Sequence, residues 1–255
     1  MRNATLQKGL LLLETMAAEA REFTLAELAQ LTGLDKGHAC RLLKTFVANG
    51  YVNRHPRTRR YWIGLRTLEL SHSILSRMEL RRVGMAYIRD LSDRLGAATY
   101  LGVLHLGRVL TVATVYPAGC YTDGAPGFGS VMELTQSAMG KVLLAHMPPE
   151  QRAELLPEQG ARSQEWAEEL DEIARSGVGV ILKPSGPAPT VIGVAAPIRT
   201  SEGRVVAAIG ASDQKASWDG RDQEQFRTAV RNAGQGLSFA LGHAASRVTL
   251  AAPAG

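Results

Sequence analysis

The segment from Thr24 to Gly50 constrains this chain more than any other, because it allows two short helices with very little between them. Thr24-Leu25-Ala26-Glu27 reads as a capping box, in which the threonine hydroxyl and the glutamate carboxylate satisfy free amides of a first helical turn. That helix stops at Thr32-Gly33, where glycine takes the left-handed conformation without a Cβ penalty. Asp35 caps a second helix that ends at Asn49-Gly50. Two short helices joined by a glycine-containing turn of about four residues are the signature of a helix-turn-helix.

The second helix of the pair divides into two faces. Ala39, Leu42, Leu43, Phe46 and Val47 recur at helical spacing and form one apolar stripe for burial. The opposite face carries Gly37, Arg41, Lys44 and Thr45, with His38 at its edge and Lys36 in the first turn. An apolar back with long donors on the outer face is what reading base edges in a major groove demands. Lys36, His38, Arg41, Lys44 and Thr45 are therefore candidate DNA contacts. Tyr51 to Ile63 follows as two β-prone segments around a proline-containing, arginine-dense turn, the pattern of a hairpin wing. Arg57, Arg59 and Arg60 on that turn are placed to neutralise phosphates without reading sequence.

Charge agrees with this placement. Residues 33–66 hold eight lysines and arginines against one acid, Asp35, a local balance of +7 in a chain whose total is +5. A basic block in an otherwise slightly acidic chain is the footprint of a polyanion such as duplex DNA. The competing reading is a merely solvated basic face.

The remainder bounds the other classes. A chain of 255 residues with 45% hydrophobic content builds real cores in one large domain or two smaller ones. No apolar run approaches the roughly 20 residues that cross a membrane, and nothing at the N-terminus marks export, so a cytoplasmic location with no membrane partner is expected. Cys40 and Cys120 make no disulfide framework, and six histidines show no paired metal spacing; neither metal nor cofactor is expected. Gly127-Phe128-Gly129 is too short for a nucleotide loop.

Around the helix-turn-helix, a helix over residues 5–20 places Leu6, Leu10, Leu13 and Ala17 on one stripe, and residues 66–82 read as a linker helix. The division is then a winged helix-turn-helix domain over 1–65, the linker over 66–82, and a second domain over 83–250. That domain shows strands at 98–104 and 109–115, a helix at 137–146 stopped by Pro148-Pro149, helices near 149–156 and 163–176, a hairpin over 191–199 and 205–212, and a final helix from about 222 to 246. The tail 251–255 reads as disordered. Antiparallel hairpins with helices packed at one side suggest an α+β domain resembling the GAF and PAS ligand-sensing folds.

These residues also carry a family resemblance. Thr5-Leu6-Gln7-Lys8-Gly9-Leu10, Leu25-Ala26-Glu27-Leu28-Ala29, Gly33-Leu34-Asp35-Lys36, Arg41-Leu42-Leu43-Lys44-Thr45 and Asn49-Gly50-Tyr51-Val52 resemble the DNA-binding domain of the IclR family of bacterial regulators. Ser137-Ala138-Met139-Gly140-Lys141, Gly193-Val194-Ala195-Ala196-Pro197-Ile198 and Val205-Val206-Ala207-Ala208-Ile209 are similar to that family's effector domain, in the same order. The resemblance implies a homodimer or homotetramer on an operator, with a small organic or aromatic acid as effector. It implies repression or activation, repression of a catabolic operon being the reading preferred here, and no catalysis. It implies a pocket lined by Met132, Leu134, Ala138, Met139, Gly193, Gly210 and Ser212, with Lys183 adding a charge. The chain departs from the family pattern at Gly37 and His38, where serine or threonine is usual, and at Lys183-Pro184-Ser185-Gly186, where acids are usual. Two other classes remain open: a constitutive DNA-binding protein without an effector, and an enzyme using Cys120 as nucleophile with His105 or Asp123 as helper.

Overall fold

The computed structural model describes residues 3–19, 21–117, 126–156, 162–185 and 188–244. Cys120, Asp123, the first part of the glycine-rich loop and the 251–255 tail lie outside the described residues. The chain folds as two units, Met1–Arg77 and Met78–Gly255.

The first unit contains α1 (Ala4–Ala18), α2 (Leu25–Thr32), α3 (Lys36–Ala48), a two-stranded hairpin of β1 (Val52–Arg54) and β2 (Tyr61–Ile63), and α4 (Arg66–Leu75). The capping box forms at α2. The Glu27 amide donates to the Thr24 hydroxyl at 3.2 Å, and the Thr24 amide donates to the Glu27 carboxylate at 2.6 Å. Gly33 closes the helix at φ 68°. Asp35 caps α3 by accepting from the His38 amide at 2.9 Å. Gly64 has no room for a side chain, since a Cβ there would stand 2.1 Å from the Gly50 carbonyl oxygen. Leu12, Met16, Phe23, Leu28, Ala39, Leu43, Val52 and Tyr61 make the core, and main-chain pairing of Phe23 with Tyr61 joins the start of α2 to the wing.

Three expectations need correction in this unit. In α1 the buried residues are Gly9, Leu12 and Met16, whereas Leu6 and Leu10 stand 61% and 48% exposed. Leucines on nearly every side of α1 leave its periodicity ambiguous, and packing selects the row that carries the glycine. Val47, assigned to the buried stripe of α3, lies at its exposed margin. The helical signal over 66–82 is split between α4 and α5 (Glu79–Leu95), with Met78 extended at ψ 96°. No proline or glycine breaks it. The hydroxyls of Ser71, Ser73 and Ser76 all donate back to carbonyls of their own helix, which competes with continuation.

The second unit is built on a six-stranded antiparallel sheet of order β5-β4-β3-β8-β7-β6. Its strands are β3 (Ala98–His105), β4 (Arg108–Val115), β5 (Val131–Glu133), β6 (Gly179–Ser185), β7 (Ala188–Arg199) and β8 (Val205–Gln214). The helices are α5, α6 (Ala138–Ala145), α7 (Pro149–Leu155), α8 (Arg162–Ser176), α9 (Lys215–Asp219) and α10 (Gln223–Ala244). Helices cover both faces of the sheet, not one side as the hairpins suggested. Ala207, Ile209 and Ala211 of β8 pack in the core with α5 and α10, while Ala208 between them packs in the core with α6 and α8. A strand buried on both faces loses polar alternation, which is why β7 and β8 read as continuous small apolar runs. The face toward α6 holds the ligand-sized space.

Candidate functional site

The outer face of α3 presents its donors as the sequence suggests. Lys36, Arg41 and Lys44 are exposed, and His38 is half-buried. Thr45 is exposed, but its hydroxyl already donates to the Arg41 carbonyl at 3.2 Å. A Cβ at Gly37 would stand 3.2 Å from the Asp35 carboxylate that caps the helix and in ordinary contact, 3.7 Å, with the Arg41 guanidinium. The His38 amide, together with the charges of His38 and Arg41, holds the Asp35 carboxyl below the ordinary aspartate value.

The wing is organised by His55. Its Nδ1 accepts from the Arg57 amide at 3.2 Å and the Thr58 amide at 3.1 Å, and its own amide donates to the Arg60 carbonyl at 2.8 Å. Arg57 and Arg59 project from this turn, with Arg59 at φ 62°. Arg60 differs from them. Its guanidinium donates to the Glu22 carbonyl at 3.2 Å and lies 3.8 Å from the Glu27 carboxylate, so it ties the wing to α2. The paired Thr24 groups, with Arg21 and Arg60 behind them, hold the Glu27 carboxyl at about 2.

In the second unit a cavity of about 190 Å³ lies between the sheet and the start of α6. Seven of the residues expected to bind an effector line it: Met132, Ala138, Met139, Lys183, Gly193, Gly210 and Ser212. Leu134 does not. It opens a 3-10 turn (Leu134–Gln136), its side chain is buried in the core beneath α6, and its backbone presses on Gly140, where a Cβ would stand 2.2 Å from the Leu134 carbonyl oxygen. Ser137 caps α6 by accepting from the Gly140 amide at 3.0 Å, which leaves the amides of Ala138 and Met139 as the free donors of the first turn. Lys183 is exposed and supplies a cation at the rim.

Further lining residues were not singled out from sequence, among them Tyr100, Gln136, Ile181 and Val191. Tyr100 is 2% exposed, and its hydroxyl lies 2.7 Å from that of Ser212. Burial pushes the Tyr100 phenol far above the ordinary tyrosine value, against a smaller opposing effect of the Ser212 hydrogen bond. In an apolar run such as Ala98 to Leu104 a tyrosine passes for core. Only the register, which sets Tyr100 opposite Gly210 and beside the row of Ser212 and Gly193, turns it toward the cavity.

No group of three metal-ligating side chains occurs among the described residues, and no helix among them is long and apolar enough to cross a membrane. His105 sits exposed at the end of β3, remote in register from the Tyr100 row.

Comparison with known proteins agrees with both halves. The family model for the bacterial transcriptional regulator IclR C-terminal domain matches residues 72–239, and that for the IclR helix-turn-helix domain matches residues 5–56. The chain is 26% identical to the HTH-type transcriptional regulator XynR of Escherichia coli (strain K12), over 94% of this chain and 98% of that one. It is 29% identical to the glycerol operon regulatory protein of Streptomyces griseus, over 93% and 96% of the two chains. Among solved structures it is similar to an IclR homolog complexed with 4-hydroxybenzoate from Microbacterium hydrocarbonoxydans. That similarity has a TM-score of 0.75 at 25% identity, covering 93% of this chain and 99% of that one.

Proposed function

The chain belongs to the IclR family and is a DNA-binding transcriptional regulator; from this premise we propose that it is a non-catalytic repressor of a catabolic operon, acting in the cytoplasm and released or retained by a small organic acid. The observation that carries the effector half is the cavity. Its walls are mostly apolar, and its polar groups converge as a cation at the rim and two free amides at a helix start, the arrangement that orients a carboxylate. We assign Lys36, His38, Arg41 and Lys44 to the groove and Arg57 and Arg59 to phosphates. Winged helix-turn-helix, linker and effector-binding domain follow the divisions at residues 65 and 82, the linker being jointed at 76–78.

The protein acts as a homodimer or a dimer of dimers. A single recognition helix makes too few base contacts for tight specific binding, and Leu6, Leu65, Leu68 and Ile74 of the first unit are 61–75% exposed. Exposed apolar helices of this kind suit a second copy of the same surface.

Thermal melting with a panel of small carboxylic acids tests the effector reading against a constitutive DNA-binding protein. A ligand at about 100 times its Kd adds about 2.7 kcal/mol, and each kcal/mol moves the melting point of a domain this size by about 2–4 °C. A shift with any of the acids supports the reading. A flat response across the panel favours the constitutive alternative.

A further inference from the structure

We infer that His55 is a positioning residue for DNA binding: its imidazole, as a neutral acceptor, fixes the wing turn in the shape that holds Arg57 and Arg59 against phosphates. The inference rests on the assignment of those two arginines to the duplex backbone and says what makes that grip possible.

Amide counting carries the first step. Pro56 to Arg59 lie between His55 and Arg60, and the His55 amide closes the turn by donating to the Arg60 carbonyl at 2.8 Å. Pro56 has no amide hydrogen. The other three amides all donate to His55. Those of Arg57 and Thr58 reach Nδ1 at 3.2 and 3.1 Å, and that of Arg59 reaches the carbonyl at 3.0 Å. One residue thus satisfies every amide donor inside the turn. A side chain that accepts from the amides two and three residues on makes an Asx-turn, here with a ring nitrogen in place of the usual Asn or Asp oxygen.

The chemistry of Nδ1 follows. A ring nitrogen accepts only while it carries no proton, so the two amide donors select the neutral tautomer with its hydrogen on Nε2. In this form His55 brings no charge to a hairpin that already carries Arg54, Arg57, Arg59 and Arg60. Its contribution is shape. Arg59 stands at φ 62°, a left-handed conformation that a residue with a Cβ keeps only where its surroundings impose it. The amides turn inward to His55, while Arg57, Thr58 and Arg59 stand exposed.

The root of the wing is fixed independently. Arg60 is bonded to the Glu22 carbonyl and the Glu27 carboxylate, and Tyr61 pairs with Phe23 through the main chain. His55 extends that rigidity from root to tip. Without its acceptor the tip arginines keep their charge and lose their placement. Ordering them on a duplex then costs conformational entropy that the wild-type turn has already given up.

Binding of the full chain to a duplex of randomised sequence, followed by fluorescence anisotropy over a range of salt, tests this. His55→Phe keeps a ring and removes the acceptor, whereas His55→Asn removes the ring and keeps an Asx-turn acceptor. His55→Phe is expected to bind at least about fivefold more weakly and to lower the salt slope by about one to two units, with His55→Asn within about twofold of wild type. Both melt within about 4 °C of wild type, since the released amides of an exposed turn are hydrated. His55→Ala serves in place of His55→Phe if the phenylalanine lowers the melting point further. In Arg57→Ala/Arg59→Ala, adding His55→Phe costs no further affinity, because His55 acts through those arginines. Equal losses in the two His55 variants, a loss in His55→Asn alone, no loss in either, or a full further loss in the arginine-free background overturns the inference and leaves the phosphate contacts standing. Wild-type affinity and slope in Arg57→Ala/Arg59→Ala overturn both.

Discussion

Arg41 and Arg60 show how much a single position decides. Both are basic, both lie in the charged block, and the sequence offers both as DNA contacts, Arg41 to base edges and Arg60 to phosphates. Arg41 stands exposed on the outer face of α3, whereas Arg60 is bound to the Glu22 carbonyl and the Glu27 carboxylate of its own chain. Arg41→Ala is therefore expected to cost about 1–3 kcal/mol of operator affinity and to relax preference at one position of each half-site, read by competition with single-base operator variants. An unchanged ranking of the variants removes Arg41 from the groove. Arg57→Ala or Arg59→Ala weakens all sequences alike and lowers the salt slope of binding by about one unit. Arg60→Ala shows instead as a lower melting point.

At the scale of elements, the capping box of α2 gives a pH signature. Its Thr24 partners hold the Glu27 carboxyl at about 2, below the ordinary carboxylate value of 4.5. A carboxyl depressed in the folded state binds protons more readily once unfolded, so its stabilisation is present above about pH 4.5 and is lost as the pH falls toward 2. Glu27→Gln is expected to lower stability at neutral pH and to flatten its acid dependence in that window, measured by urea unfolding at several pH values. A variant with the wild-type slope denies the carboxylate that role. This box, the Gly33 stop and the Asp35 cap were legible because each is a local hydrogen bond or a local φ. Elements fixed by distant partners were not. β6 carries Pro184 and lies close behind Gly177, so it reads as loop until β7 pairs with it. The buried row of α1 cannot be chosen among leucines without Phe46, which lies 3.1 Å from a Cβ placed at Gly9. The cavity divides the same way: the α6 start and the two hairpin glycines carry recognisable motifs, whereas Tyr100 depends on the β3–β8 register and Leu134 turns inward with its 3-10 turn.

For the whole molecule, two features remain to be joined: a basic helix with exposed apolar neighbours, and an acid-sized cavity in a separate unit. The exposed faces of α1 and α4 suit a second copy, so Leu68→Glu with Ile74→Glu is expected to yield monomers in sedimentation and to lose paired half-site protection about 34 Å apart. A wild type that stays monomeric at micromolar concentration and protects one unrepeated half-site sinks that assignment. The covalent path from cavity to recognition helix passes through residues 76–78, and an effector shifts DNA binding only by binding one arrangement more tightly than another. The direct measurement is affinity for a duplex operator, selected by the protein from random sequence, with and without an acid that raises the melting point. Saturating acid is expected to change wild-type operator affinity by about fivefold or more. Lys183→Glu should bind the operator equally well without acid and lose the response. An operator affinity that ignores the acid in the wild type, or a full response in Lys183→Glu, contradicts control of DNA binding by an acid held at Lys183.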